Sequence, residues 1–97
     1  MEEINWFFKE SPDTMVLTTK DVVIKRCPIL FVSHDLDDGM WQFHSNEQVD
    51  MNEAMLVSLQ EIVTFDFSIT NISSLPLGWI AFRDNLQSSW STKEYIE

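Results

Sequence analysis

The side chains in this sequence equipped for chemistry are few: Cys27, His34, His44 and a run of carboxylates. His34 and His44 fall at the outer ends of two segments that read as paired strands. Facing one another beside Asp35, they would offer two imidazoles and a carboxylate to zinc or a similar metal. No second ligand pair has a recognisable spacing, so the plainer reading is two surface histidines at strand ends. Cys27 would need a base such as His34 or His44 to act as a nucleophile. The neighbouring Lys25 and Arg26 would lower the pKa of an exposed thiol, but no catalytic motif surrounds the cysteine, and a small buried thiol is the plainer reading. Asp35-Leu36-Asp37-Asp38-Gly39 invites a calcium reading. A calcium loop wants glycine at position 6 and glutamate at position 12. Counted from Asp35, glycine arrives at 5 and position 12 is Asn46. The register fails, and Asp-Gly between two apolar runs is a hairpin turn. The expectation is no catalytic residue, no metal and no cofactor.

The carboxylates carry a different message. From Cys27 to Phe82 there is no lysine and no arginine, while Asp35, Asp37, Asp38, Glu47, Asp50, Glu53, Glu61 and Asp66 all lie there. The whole chain has Lys+Arg 6 against Asp+Glu 16, a net charge of −10. Such a field attracts cationic partners and repels nucleic acid and anionic lipid. The tryptophans could stack on bases, but too few cations are present to neutralise phosphates. Protein partners remain, with Asp35, Asp37, Asp38, Glu47, Asp50 and Glu53 as the candidate binding residues. Core packing is the plainer role for the tryptophans, with Trp41 and Trp90 as the candidate aromatic anchors. The plainer reading of the same acids is a solvated face that keeps the protein dispersed.

These residues must be held by one domain, 1–97, since 97 residues bury about 60–65% of the unfolded surface. One cysteine permits no internal disulfide, and the acidic Met1-Glu2-Glu3 is unlike a signal-peptide start. Localisation is therefore expected to be cytoplasmic, away from any membrane. Residues 2–9 suit a short helix buried through Ile4, Phe7 and Phe8. Residues 14–18 read as a strand, and 19–26 as a turn of helix or an irregular crossing. Pro28 to Ser33 reads as a strand covered on both faces, and Met40 to His44 as its hairpin partner. Residues 45–54 read as a loop and 55–57 as a short strand. Ser58 and Glu61 form a capping box that starts a helix to about Phe65. Asp66 caps a second short helix carrying Phe67, Ile69 and Ile72. Leu75 to Gly78 turns the chain into a last strand, Trp79 to Arg83. Ser91 and Glu94 offer a weak capping box near the end. The fold expected is α+β: an antiparallel sheet of about four or five strands, centred on the 29–33/40–44 hairpin, with two or three short helices mainly on one face. Arg83, alone among cations between Arg26 and Lys93, is expected to pair with a central carboxylate.

The spacing of Gly39, Trp41, Phe43 and Glu47, then Ser58, Leu59 and Ile62, Asp66 and Ile69, and Leu75-Pro76-Leu77-Gly78-Trp79 with Ala81, Arg83 and Trp90 resembles a known pattern. It is similar to a small bacterial domain of formerly unknown function, grouped as the thirty-third type with the immunity proteins of polymorphic toxin systems. The resemblance covers about residues 15–90. Met40 between Gly39 and Trp41, Asn46 and Phe67 depart from the family's pattern, as in a divergent member. The resemblance implies a non-enzymatic protein that neutralises a bacterial toxin by binding it, and a basic toxin domain suits the acidic middle of this chain. The alternatives are a small accessory or regulatory domain and a metal-binding protein using His34, His44 and Cys27.

Overall fold

The computed structural model describes residues 6–95. Its six-stranded sheet has the order β4-β1-β3-β2-β5-β6. The strands are β1 (Met15–Thr19), β2 (Phe31–His34), β3 (Trp41–His44), β4 (Ala54–Ser58), β5 (Trp79–Phe82) and β6 (Ser91–Glu94). Helix α1 (Lys20–Val23) follows β1, and α2 (Leu59–Phe65) follows β4. Two 3₁₀ helices span Met51–Glu53 and Phe67–Ile72. The Cα radius of gyration, 12.8 Å, matches the roughly 12.5 Å of a compact chain of this length.

The expected hairpin sits at the centre of the sheet. Gly39, at φ +74°, closes the loop where a residue without Cβ is cheapest. The loop is pinned by Asp35 N–H to the Met40 carbonyl at 2.8 Å and by Gly39 N–H to the Asp35 carbonyl at 2.9 Å. Both predicted caps form. Ser58 accepts the Glu61 N–H at 3.1 Å and Asp66 accepts the Ser68 N–H at 3.0 Å, each satisfying an orphan donor of its helix.

Helix α2 and the 3₁₀ helix after it pack on one face of the sheet. Leu59, Ile62, Ile69 and Ile72 meet Val16, Val32, Trp41, Phe43, Val57 and Ala81 there. Trp41 lies at the middle. It stacks on His34 at 4.0 Å, runs parallel to Phe43 at 5.8 Å and receives Phe8 edge-on at 5.1 Å. Leu17, Ser33, Gln42 and Ile80 alternate with those inward residues and occupy the other face, where His44 is buried near Asp21 of α1 and a hollow lies open over Phe31, Ser33 and Ile80.

Several expectations are corrected. The sheet has six strands rather than four or five, and it is mixed: β1 pairs parallel to β3, with Leu17 against Gln42. The added strand is β6. Ser91–Glu94 is extended, not helical, because the edge of β5 pairs with its backbone along all four residues. The strand expected at 28–33 runs only over Phe31–His34, with one face open instead of both covered. Residues 6–9 form no helix, and Ile4 lies outside the described residues. Phe8 is buried and Phe7 exposed between it and half-buried Trp6, in a segment that bends over residues 8–10. Trp6 donates its indole N–H to the Glu10 carbonyl at 2.5 Å and anchors that segment.

Candidate functional site

The hairpin register separates the two histidines. Phe31 pairs with His44 and His34 with Trp41, so the imidazoles stand at opposite ends of the hairpin and on opposite faces. His34 Nδ1 donates to the Leu75 carbonyl at 2.8 Å, and its Nε2 lies 3.6 Å from Glu10. Among the described residues no three His, Cys, Asp or Glu side chains converge as ligands of a metal ion. Cys27 is half-buried in a cleft of about 410 Å³ lined by Arg26, Phe65, Asp66 and Leu86, with neither histidine beside it.

The open face of the sheet carries a larger concavity of about 840 Å³. Phe31 and Ser33 of β2 and Ile80 of β5 form its floor. Tyr95, just beyond β6, closes one side, and its N–H to the Gly78 carbonyl at 2.8 Å holds it in line with the strand. The hairpin loop supplies Asp35, Leu36 and Asp37, and the loop after β3 supplies Glu47. Gly78, at φ +83°, takes a left-handed conformation that a residue with a side chain adopts only under strain, and it lies under Leu36 of the hairpin loop. A Cβ there would stand in ordinary contact with the Leu36 Cβ, at 3.5 Å, so the backbone angle rather than space asks for glycine.

Asp35 is fixed in place. Its carboxylate accepts Ser33 Oγ at 2.8 Å and Gln42 Nε2 at 2.6 Å. With that amide nitrogen committed, Gln42 Oε1 faces His44 Nε2 at 2.8 Å, so the Nε2 carries the proton. His44 is 1% exposed and its Nδ1 has no hydrogen-bond partner. Burial holds its pKa below the usual 6.5, against the pull of Asp21 and Asp35. Burial would raise the Asp21 carboxyl, but hydrogen bonds from Ser45, Thr19 and the Val22 backbone, with His44 nearby, outweigh it and leave the pKa low. Asp37 and Glu47 are exposed. The groove therefore has one carboxylate held by two hydrogen bonds, two exposed ones, and a largely apolar floor with Tyr95 at its side. Such a site takes a cation with an apolar stem, the build of a lysine or arginine side chain.

Of the residues expected to bind a partner, the fold brings Asp35, Asp37 and Glu47 together around this groove. Asp38 is exposed on the same loop, where it accepts the Met40 N–H at 2.9 Å. Asp50 and Glu53 are exposed near β4, toward the other edge of the sheet. Asp50 there caps the first 3₁₀ helix, accepting the Asn52 N–H at 3.0 Å. Trp41 is corrected. At 2% exposure it belongs to the core and offers no face to a partner. Trp90 is half-buried on the helix-bearing face. Its ring covers the Arg83 guanidinium at 4.1 Å and its indole N–H reaches the Ser68 carbonyl at 3.3 Å.

Phe31, Leu36, Ile80 and Tyr95 were not expected at a site. The alternation of Phe31 and Ser33 against Val32 and His34 was the available signal, masked by the continuous apolar run before it. No family model matches the chain, and neither a curated protein nor a solved structure does.

Proposed function

We propose that this protein is a non-enzymatic binding module that receives a cationic segment of a protein partner in the groove of the open sheet face. The observation that carries the reading is the convergence of Asp35, Asp37 and Glu47 over Phe31, Ile80 and Tyr95. The sequence resemblance to immunity proteins adds a specific form: a protein that occupies the basic working surface of a bacterial toxin. The net charge of −10 supports it, because complementary charge speeds association and rejects wrong partners.

The test is a pair of changes, Asp37→Asn and Glu47→Gln, both exposed and outside the core. Against an arginine-rich peptide, the double variant slows association by about tenfold at low salt and flattens the salt dependence, since salt screens such steering over about 8 Å at physiological strength. Unchanged association and an unchanged salt slope would show that the groove is not the contact surface. Immunity is separated from general binding by co-expression with a basic toxin from the source organism. Protection that the double variant loses supports immunity, and peptide binding without protection leaves an accessory domain.

A further inference from the structure

The two edges of the sheet are built differently, and the groove does not account for the difference. All four residues of β6 are exposed, and Lys93 and Glu94 stand in the strand. Charged residues on an edge strand oppose pairing with another chain. β4, Ala-Met-Leu-Val-Ser, has no charge and no proline, and its five residues hold continuous antiparallel register with β1. It carries none of the devices that guard an edge.

The direction of its backbone groups follows from the ladder. Leu59 N–H bonds the Thr14 carbonyl at 2.8 Å, one pair beyond β1. Hydrogen-bonded pairs alternate in an antiparallel ladder, so Val57 and Met55 bond to β1 and the residues between them turn outward. The Ala54 N–H is taken by the Met51 carbonyl. That leaves the Ala54 carbonyl, both groups of Leu56 and the Ser58 N–H facing away from the sheet. Among the described residues no bond outside the regular elements engages the Leu56 or Ser58 N–H. Acceptor, donor, acceptor, donor along one strand is the template for an added antiparallel strand. Leu56 is 57% exposed, and Met15, on the same face, is 50% exposed, so apolar side chains flank the free edge. Exposed Asp50 and Glu53 precede the strand.

We infer that the β4 edge docks an extended apolar segment of a protein partner, with lysine or arginine where that segment passes Asp50 and Glu53. Charge selects this occupant over a second copy of the chain, because two copies at −10 each repel. The surface is separate from the groove.

The experiment uses the whole chain and a short synthetic peptide, valine and threonine alternating between terminal lysines. Binding is followed by the backbone amide signals. Those of Leu56 and Ser58 shift and gain exchange protection on titration. Methylating alternate amide nitrogens of the peptide weakens binding by at least about tenfold, and Leu56→Lys does the same, while Asp37→Asn in the groove does not. Leu56→Pro is a second variant. It deletes the outward N–H together with the exposed leucine side chain, at a position where an edge strand tolerates proline, and it too abolishes binding with the circular dichroism of the sheet retained. No binding by the unaltered chain, equal binding of the methylated peptide, or shifts confined to Phe31, Ile80 and Tyr95 would each overturn the inference. So would a dimer in sedimentation that Leu56→Lys dissociates, since that assigns the edge to a second copy.

Discussion

Arg83 has a partner for each of its guanidinium nitrogens. Its side chain is 1% exposed and Asp66 lies 2.6 Å from it. Nε and Nη2 both donate to the Ile29 carbonyl, at 3.1 and 2.9 Å, and Nη1 reaches Ser68 Oγ at 2.8 Å. The pairing expected from its isolation in the sequence is thus present, and Trp90 caps it. Arg83→Ala is expected to cost about 3–5 kcal/mol, because it strands a partly buried carboxylate and a carbonyl. Chemical denaturation measures it, and a loss below about 1 kcal/mol would mean an ordinary surface pair. His44 sets the acid behaviour. Its folded pKa is depressed below 6.5, so the unfolded chain takes up a proton first on acidification. Stability is full above pH 6.5 and falls as the pH drops toward and through the lowered value. Asp21, also depressed, adds its own loss below its usual 3.8. His44→Gln keeps a donor to Gln42, and is expected to remove the upper phase and leave the lower one. Denaturation midpoints at pH 7 and pH 5 decide it, and an unchanged slope in the variant would assign the phase to another group.

The hairpin loop is the element that builds the groove, because it carries Asp35, Leu36 and Asp37 and sets the register behind them. Gly39 at φ +74° has open space around its missing Cβ, with no atom within 4 Å. Gly39→Ala should therefore cost only backbone strain, about 1–2 kcal/mol, and any larger loss in thermal unfolding would reveal a steric contact. The loop's chemistry was readable as Asp-Gly. Its consequence was not: a loop closing with Asp35 against Met40 puts His34 opposite Trp41, and so drives His44 to the other end and the other face. A metal reading built on both histidines fails on that register alone.

Segregated charge acts on the entire fold. With −10 on a chain of this size, self-repulsion opposes the compact state. Raising sodium chloride from about 10 mM to about 150 mM shortens the screening length from about 30 to about 8 Å. The melting temperature should rise with it, by about 4–8 °C for each 1 kcal/mol of repulsion relieved. A fall instead would show that attractive pairs such as Arg83–Asp66 outweigh the repulsion. The sheet distributes the acids unequally, gathering Asp35, Asp37 and Glu47 around one hollow and leaving Asp50 and Glu53 beside the unguarded edge.

Local signals determined the local elements. Ser58 and Asp66 began helices because a hydroxyl or carboxylate beside an amide N–H is a short-range arrangement. Met15–Thr19, Trp41–His44 and Trp79–Phe82 were legible as strands from their β-branched and aromatic content. Acidity, and with it the expectation of a basic partner, needed no coordinates at all. The sequence was silent wherever distant segments had to meet. In the sequence Trp41 and Trp90 are alike, core ring or anchor, until helices and strands close over one and Arg83 lies against the other. Ser91–Glu94 has no strand pattern of its own and becomes β6 because β5 offers it unpaired backbone. The parallel β1–β3 pairing, the open face and the free edge of β4 arise from which strand lies beside which. Contacts between residues far apart in the chain are chosen by the burial and hydrogen bonding of the whole molecule, and no window of a few residues contains that information.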